Sequence, residues 1–158
     1  MEGSGLEVQA YRPVACYFNG QYWGMYNMRE KTNEHMVAAK FDLDPDSVKV
    51  LELEGTYDEE YAELFNYVNQ NDLTNDTHYN YVDSQIDIKN FIMYNIAQIY
   101  VDNTDWPGNN IKFWKSPETK WRWILFDTDF GFGTWNQFNY FNNTLDFALE
   151  PNLSLIHI

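Results

Sequence analysis

The residues best suited to chemistry sit where the stretch WILFDTDFGFG stops being apolar. A run of strand-forming residues ends at Asp127 and Asp129, two aspartates spaced by one residue, then breaks into Gly131-Phe132-Gly133. Residues two apart on a strand share a face, about 6–7 Å from one another. Two carboxylates at about 6 Å repel by roughly 3 kcal/mol at an effective dielectric constant near 20. A cation removes that cost, and magnesium prefers such oxygen ligands while leaving room for phosphate oxygens. If the strand runs that far, Trp121, Trp123, Leu125, Asp127 and Asp129 line one face, and Trp123, sharing the face of Asp127, is a candidate to stack on a planar ring of a bound ligand. The glycines that follow let the backbone turn sharply and approach a ligand. Taken singly, such a pair is more often two exposed aspartates at a strand end.

A second constellation changes the weighting. In DNTDWPGNNIKFW, Asp105 and Asn110 lie five positions apart. Kinase catalytic loops carry an Asp and an Asn at this spacing: the Asp orients or deprotonates the acceptor hydroxyl, and the Asn binds metal. A metal-binding Asp then follows a short hairpin, and the order here is Asp105, Asn110, then Asp127 and Asp129. Residues 129–131 spell Asp-Phe-Gly, but the residue that ends the apolar strand is Asp127. Asp127 is therefore the expected principal metal ligand, with Asp129 as second ligand or close support.

These residues need elements to hold them. Asn19-Gly20 between two β-rich runs marks a type I′ hairpin, with strands expected over 13–18 and 21–29. NEHMVAAKF reads as a short helix, 47–53 as a strand, and 58–70 as an amphipathic helix through Tyr61, Leu64, Phe65 and Val68. THYNYVDSQ reads as loop. The segment 86–103 reads as a more apolar helix; Phe91, Ile92, Tyr94, Ile96, Ile99 and Tyr100 cover much of its circumference, which suits a central position. Pro107 stops it, and a second hairpin turns around Pro117-Glu118. This order implies an α+β fold with two subregions meeting at a cleft. Core packing is the expected role of most of Trp106, Trp114, Trp121 and Trp123.

Composition narrows the partners. The chain has 158 residues, 24 acidic against 10 basic, and a net charge of −14, which opposes binding to nucleic acid. Cys16 is the only cysteine, so an internal disulfide and Cys-based zinc clusters are excluded; its alternating neighbours suit a buried small hydrophobe. No apolar run is long enough for a membrane-spanning helix. DLDPDS begins like a calcium loop but lacks the later Gly and Glu of one.

The blocks YFNGQYWGMYNMREK, NTDWPGNNIKFWK and KWRWILFDTDFGFG together resemble the CotH family, spore-coat-type atypical protein kinases. The resemblance covers most of residues 11–135. It implies a divergent protein-kinase-like fold that binds ATP with Mg²⁺ and phosphorylates Ser or Thr of a protein substrate. Asp105 matches the catalytic-loop aspartate, Asn110 the metal-binding asparagine and Asp127 the metal-binding aspartate. Asp129 belongs to the same motif, and Glu30 matches the glutamate closing the hairpin block. No Gly-rich phosphate loop is present, and the family lacks a standard one. A cation for the phosphates is still needed, and Arg12, Arg29 and Lys31 are the candidates.

The resemblance sets the expected domain plan: 1–10 a linker or truncated lead-in, 11–152 a partial kinase-like domain incomplete at the C-terminal lobe, and 153–158 adapter read-through. The last reading comes from LSLIHI, whose back-translation matches a sequencing-library adapter and suggests a bacterial metagenomic source. Activity is expected of the intact parent rather than of the fragment alone. Family contexts imply the cell envelope, spore surface or secretion. Two other functions compete: a non-catalytic kinase-fold surface or adhesion module, and a glycan-active protein using paired carboxylates. The latter leaves the Asp105/Asn110 loop unexplained.

Overall fold

A computed structural model describes residues 5–52, 58–134 and 143–148. The stretch 153–158, read above as adapter, lies outside them. In chain order the elements are β1 (Glu7–Val8), β2 (Tyr11–Phe18), β3 (Gln21–Arg29), α1 (Glu34–Phe41), β4 (Lys49–Glu52), α2 (Glu59–Gln70), α3 (Asp76–Gln85), α4 (Ile88–Tyr100), β5 (Lys112–Lys115), β6 (Arg122–Leu125) and α5 (Thr144–Ala148). The chain is α+β. A mixed sheet runs β1-β6-β5-β4, with β1 parallel to β6 and the other pairs antiparallel, and β2 and β3 form a separate hairpin.

Local chemistry accounts for most boundaries. Asn19 and Gly20 both take positive φ, 50° and 79°, as the type I′ turn demands. Asn33, Asp58 and Asp87 cap α1, α2 and α4 by accepting from the backbone N–H of Met36, Tyr61 and Asn90. The sheet is covered on both faces because alternate strand residues feed two cores. Trp114 and Ile124 pack with Met36, Val37 and Ala38 of α1. Phe113, Trp121, Trp123 and Leu125 pack with Leu64, Val82, Phe91 and Tyr94 of α2, α3 and α4. That double burial is why β6 reads as a continuous apolar run. All four of the tryptophans singled out above are buried, as core packing requires.

Several expectations need correction. THYNYVDSQ is helix α3, not loop. Asn75 caps it through the Thr77 N–H, and Val82 is buried in the core. Tyr67 of α2 contacts both Tyr81 and His78 of α3, with the Tyr67 hydroxyl 2.8 Å from His78 Nδ1. A cap and tertiary contacts override a weak intrinsic propensity. α4 is one-sided rather than enclosed: it buries Asn90, Phe91, Tyr94, Asn95 and Gln98, while Ile92, Ile96 and Tyr100 are exposed. Cys16 is half-buried on the hairpin, most of whose side chains are exposed.

The lead-in also contributes structure, since β1 docks on β6 and Glu7 is buried. Arg122 Nε donates to Glu7 Oε1 at 2.7 Å, Asn90 Nδ2 to Glu7 Oε2 at 2.9 Å, and Arg122 also pairs with Asp87. Burial raises the Glu7 carboxyl above its ordinary value despite the Arg122 charge beside it. A raised folded value favours the protonated form. Stability relative to Glu7→Gln is thus greatest below the ordinary carboxylate range and declines as pH rises through the folded value. Glu7→Ala strips a partner from Arg122 Nε and from Asn90, and urea denaturation at neutral pH should register a loss of about 3 kcal/mol.

Candidate functional site

Three segments wall an open cleft of about 500 Å³: Val8 and Gln9 at the end of β1; Tyr11, Asn27 and Arg29 at the base of the hairpin; and residues 125–129 from the last residue of β6 onward. The hairpin base is held by Glu30. Its backbone N–H donates to Ala10 O at 2.9 Å, its carboxylate accepts from Ala10 N at 3.2 Å and pairs with Lys40 at 3.6 Å. The Gln9 amide donates to the Glu30 carbonyl. These contacts fix where Arg29, one residue earlier, enters the cleft.

β6 ends at Leu125, and Asp127 takes φ +52°. The strand alternation that would put Asp127 on the Trp123 face is therefore broken before it arrives. The loop beyond folds back on the end of α4. Phe132 N–H donates to Val101 O at 2.6 Å, and Thr104 Oγ1 to Phe130 O at 3.4 Å. Gly131 makes the approach possible: a Cβ there would stand 2.8 Å from Val101 O and 3.0 Å from Thr128 O.

Residues 101–111 form the adjoining loop, anchored by buried Val101, Asn103, Trp106 and Ile111. Trp106 meets Tyr94 edge to face at 6.4 Å. Within the loop, Asp105 Oδ2 accepts from Asn110 Nδ2 at 2.7 Å and from Asn109 Nδ2 at 2.9 Å. Both amides engage one carboxylate oxygen. Each amide keeps its own carbonyl oxygen as an acceptor.

The electrostatics tie the loops together. Desolvation, first, and the neighbouring Asp129 carboxylate raise the Asp127 carboxyl above its ordinary value; Arg29 opposes them and Asp105 adds to them. Asp127, Asp129, Arg29 and Asp105 thus share one electrostatic neighbourhood, with Asn110 bonded to Asp105. Trp123 does not join them: it is buried between Phe91 and Phe113, with ring centroids 4.6 and 5.8 Å away. Glu30 sits behind the cleft as a fastener, and Lys31 is exposed outside the lining. Arg12 pairs across the hairpin with Met28, whereas Arg29 pairs with Tyr11, so the two arginines project from opposite faces.

The sequence reading missed Asn109, Asn27 and Gln9. Asn27 shares a strand face with Arg29 and was legible from the period of two. Asn109 was visible only as half of a doublet, and Gln9 carried no local signal.

The donor set suits a hard cation. It offers carboxylates and amide oxygens, and the Asp127 carboxyl is raised first by desolvation and then by the Asp129 carboxylate beside it. Among the described residues no three His, Cys, Asp or Glu side chains form a self-sufficient metal cage.

The fold and the site define a mixed α+β protein with an acidic, asparagine-lined loop pair beside an arginine-walled cleft. The chain belongs to the CotH family: the family model described as "CotH kinase protein" matches residues 1–154. Comparison with curated proteins and with solved structures returned no match. No helix among the described residues is long and apolar enough to cross a membrane.

Proposed function

We propose that the chain carries the nucleotide and metal site of a divergent protein-kinase-like fold that transfers phosphate from Mg-ATP to Ser or Thr of a protein. The observation that carries this reading is that Arg29, Asp127 and Asp129 line one cleft, with Asp105 close enough to act on the Asp127 carboxyl. Asp127 and Asp129, with the Asn110 carbonyl oxygen, are the residues that would hold magnesium. Bound there, magnesium would neutralise charge on the phosphate oxygens. Arg29 supplies the fixed positive charge for the phosphates; it was one of three candidates in the sequence, and it alone lines the cleft. The Asp105 carboxylate accepts the proton of the attacking hydroxyl as the new O–P bond forms and ADP leaves. Asn109 and Asn110 hold that carboxylate in place. Net acidity argues against a nucleic-acid substrate, and a spore-coat or cell-surface setting follows from the family.

The test is calorimetric titration of ATP with and without Mg²⁺. Arg29→Ala is expected to weaken Mg-ATP binding by about 10- to 100-fold, the loss of one charged hydrogen-bonding partner. Arg12→Ala is expected to stay within about threefold, because it removes a charge on the opposite face. Equal effects of the two would overturn the choice of Arg29. A non-catalytic binding module is the second reading. It is favoured by the hairpin, where Tyr17, Phe18, Tyr22, Trp23, Met25 and Met28 are all exposed. Absence of any metal-dependent nucleotide affinity in folded protein would move the conclusion there.

A further inference from the structure

Beneath Asp105 lies a buried chain of amides that no part of the proposed chemistry uses. Asn103 and Gln98 are both fully buried. Asn103 Nδ2 donates to Gln98 Oε1 at 2.9 Å, and Gln98 Nε2 donates to the Tyr94 hydroxyl at 3.1 Å. Asn103 Oδ1 accepts from the backbone N–H of Asp105 at 3.4 Å. The backbone of Asn103 is engaged as well: its N–H donates to Gln98 O at 3.2 Å and its carbonyl accepts from Trp106 at 3.3 Å. Burying two primary amides is costly unless their bonds are made. An apolar pair would fill the same space at no such cost. The arrangement does one thing that an apolar pair does not: it ties the peptide N–H of Asp105 to the body of α4.

We propose that Asn103, held by Gln98, is a positioning residue that fixes the Asp105 loop from below, while Asn109 and Asn110 fix the carboxylate from the side. The inference rests on the phosphotransfer reading for its effect on turnover, but not for its effect on loop order. Asn103 acts through Asp105 and touches no substrate. Its loss lets the Asp105 carboxylate wander without altering the Arg29 and Asp127 side of the cleft.

The experiment uses the 158-residue chain and two variants, Asn103→Ala and Gln98→Met. The second keeps side-chain length and leaves the loop residues untouched, which guards against a simple folding failure of the first. Backbone amide exchange is the first readout. Protection at Asp105 and Trp106 is expected to fall by about tenfold in both variants, the loss of roughly one hydrogen bond, with protection in β5 and β6 unchanged. The second readout is kinetic and uses the same substitutions in the intact parent: kcat is expected to drop by about 100-fold, with KM for Mg-ATP within about threefold. A purely structural role would lower protection across the sheet and raise KM along with the fall in kcat. Either that pattern or undiminished protection at residues 105 and 106 would overturn the proposal. If the wild type binds no Mg-ATP, the phosphotransfer reading fails, and the exchange result alone still decides the positioning claim.

Discussion

Asp127→Ala is expected to lower phosphate transfer from Mg-ATP to a Ser/Thr protein acceptor by about 1000-fold or more, with the fold retained. The residue is exposed and lies past the end of β6, so little packing is lost with it. In the proposed role it acts through its charge. The Asp127 carboxyl is raised above its ordinary value by desolvation and by Asp129, so bringing it into the folded site as an anion is unfavourable. A bound cation reverses that sign. The same shift gives a stability test. A raised folded value means that ionised Asp127 destabilises the metal-free fold at pH values above it, and that the effect vanishes below the ordinary carboxylate value. Asp127→Asn should therefore stabilise the metal-free protein slightly at neutral pH, by about 0.5 kcal/mol or less because the group is screened by solvent. It should be neutral in acid and destabilising relative to wild type once Mg-ATP is present. Thermal melts with and without Mg-ATP across pH measure all three. Transfer that survives Asp127→Ala would remove Asp127 from the metal role.

The second large effect is expected at Gly131. Its φ lies outside the left-handed region that favours glycine, so backbone strain is not the issue. The constraint is space: a Cβ would sit 2.8 Å from the Val101 carbonyl oxygen, and backbone atoms yield little. Gly131→Ala must push the 127–134 loop off the end of α4. The contact at risk is the Phe132 N–H to Val101 O bond. Overpacking of this kind costs about 1–3 kcal/mol, which urea denaturation would show as a shifted midpoint with an unchanged slope. Because the same loop carries Asp127 and Asp129, Mg-ATP affinity should fall by more than the loss of stability alone explains. Gly108→Ala is the control, since nothing stands within 4 Å of its added Cβ. Equal behaviour of the two alanine variants would show that the loop is not held by this contact.

These two residues mark the limits of what sequence reading reached. The aspartate pair and the Asp105-to-Asn110 spacing stood out in the sequence because the proposed chemistry uses fixed residue types at fixed separations. The hairpin turn, the helices over 58–70 and 86–103 and the second hairpin were legible for a similar reason: Asn-Gly and apolar periodicity act over a few residues. α3 was not, because its sequence is a poor helix former and its stability comes from Tyr67 and the core around Val82.

By itself, then, the sequence determined most of the secondary elements, the acidic loop pair and the family. Tertiary structure decided what surrounds them. It puts Arg29, and neither Arg12 nor Lys31, in the cleft lining, because the cleft wall is set by which hairpin face meets residues 125–129. It withdrew Trp123 into the core, because β6 is covered on both faces and its alternation ends before Asp127. It also placed Asn103 and Gln98 under Asp105, because the turn after α4 brings their side chains together. Interactions between neighbours in the chain leave a readable pattern. A contact made between distant segments leaves none until the chain has folded.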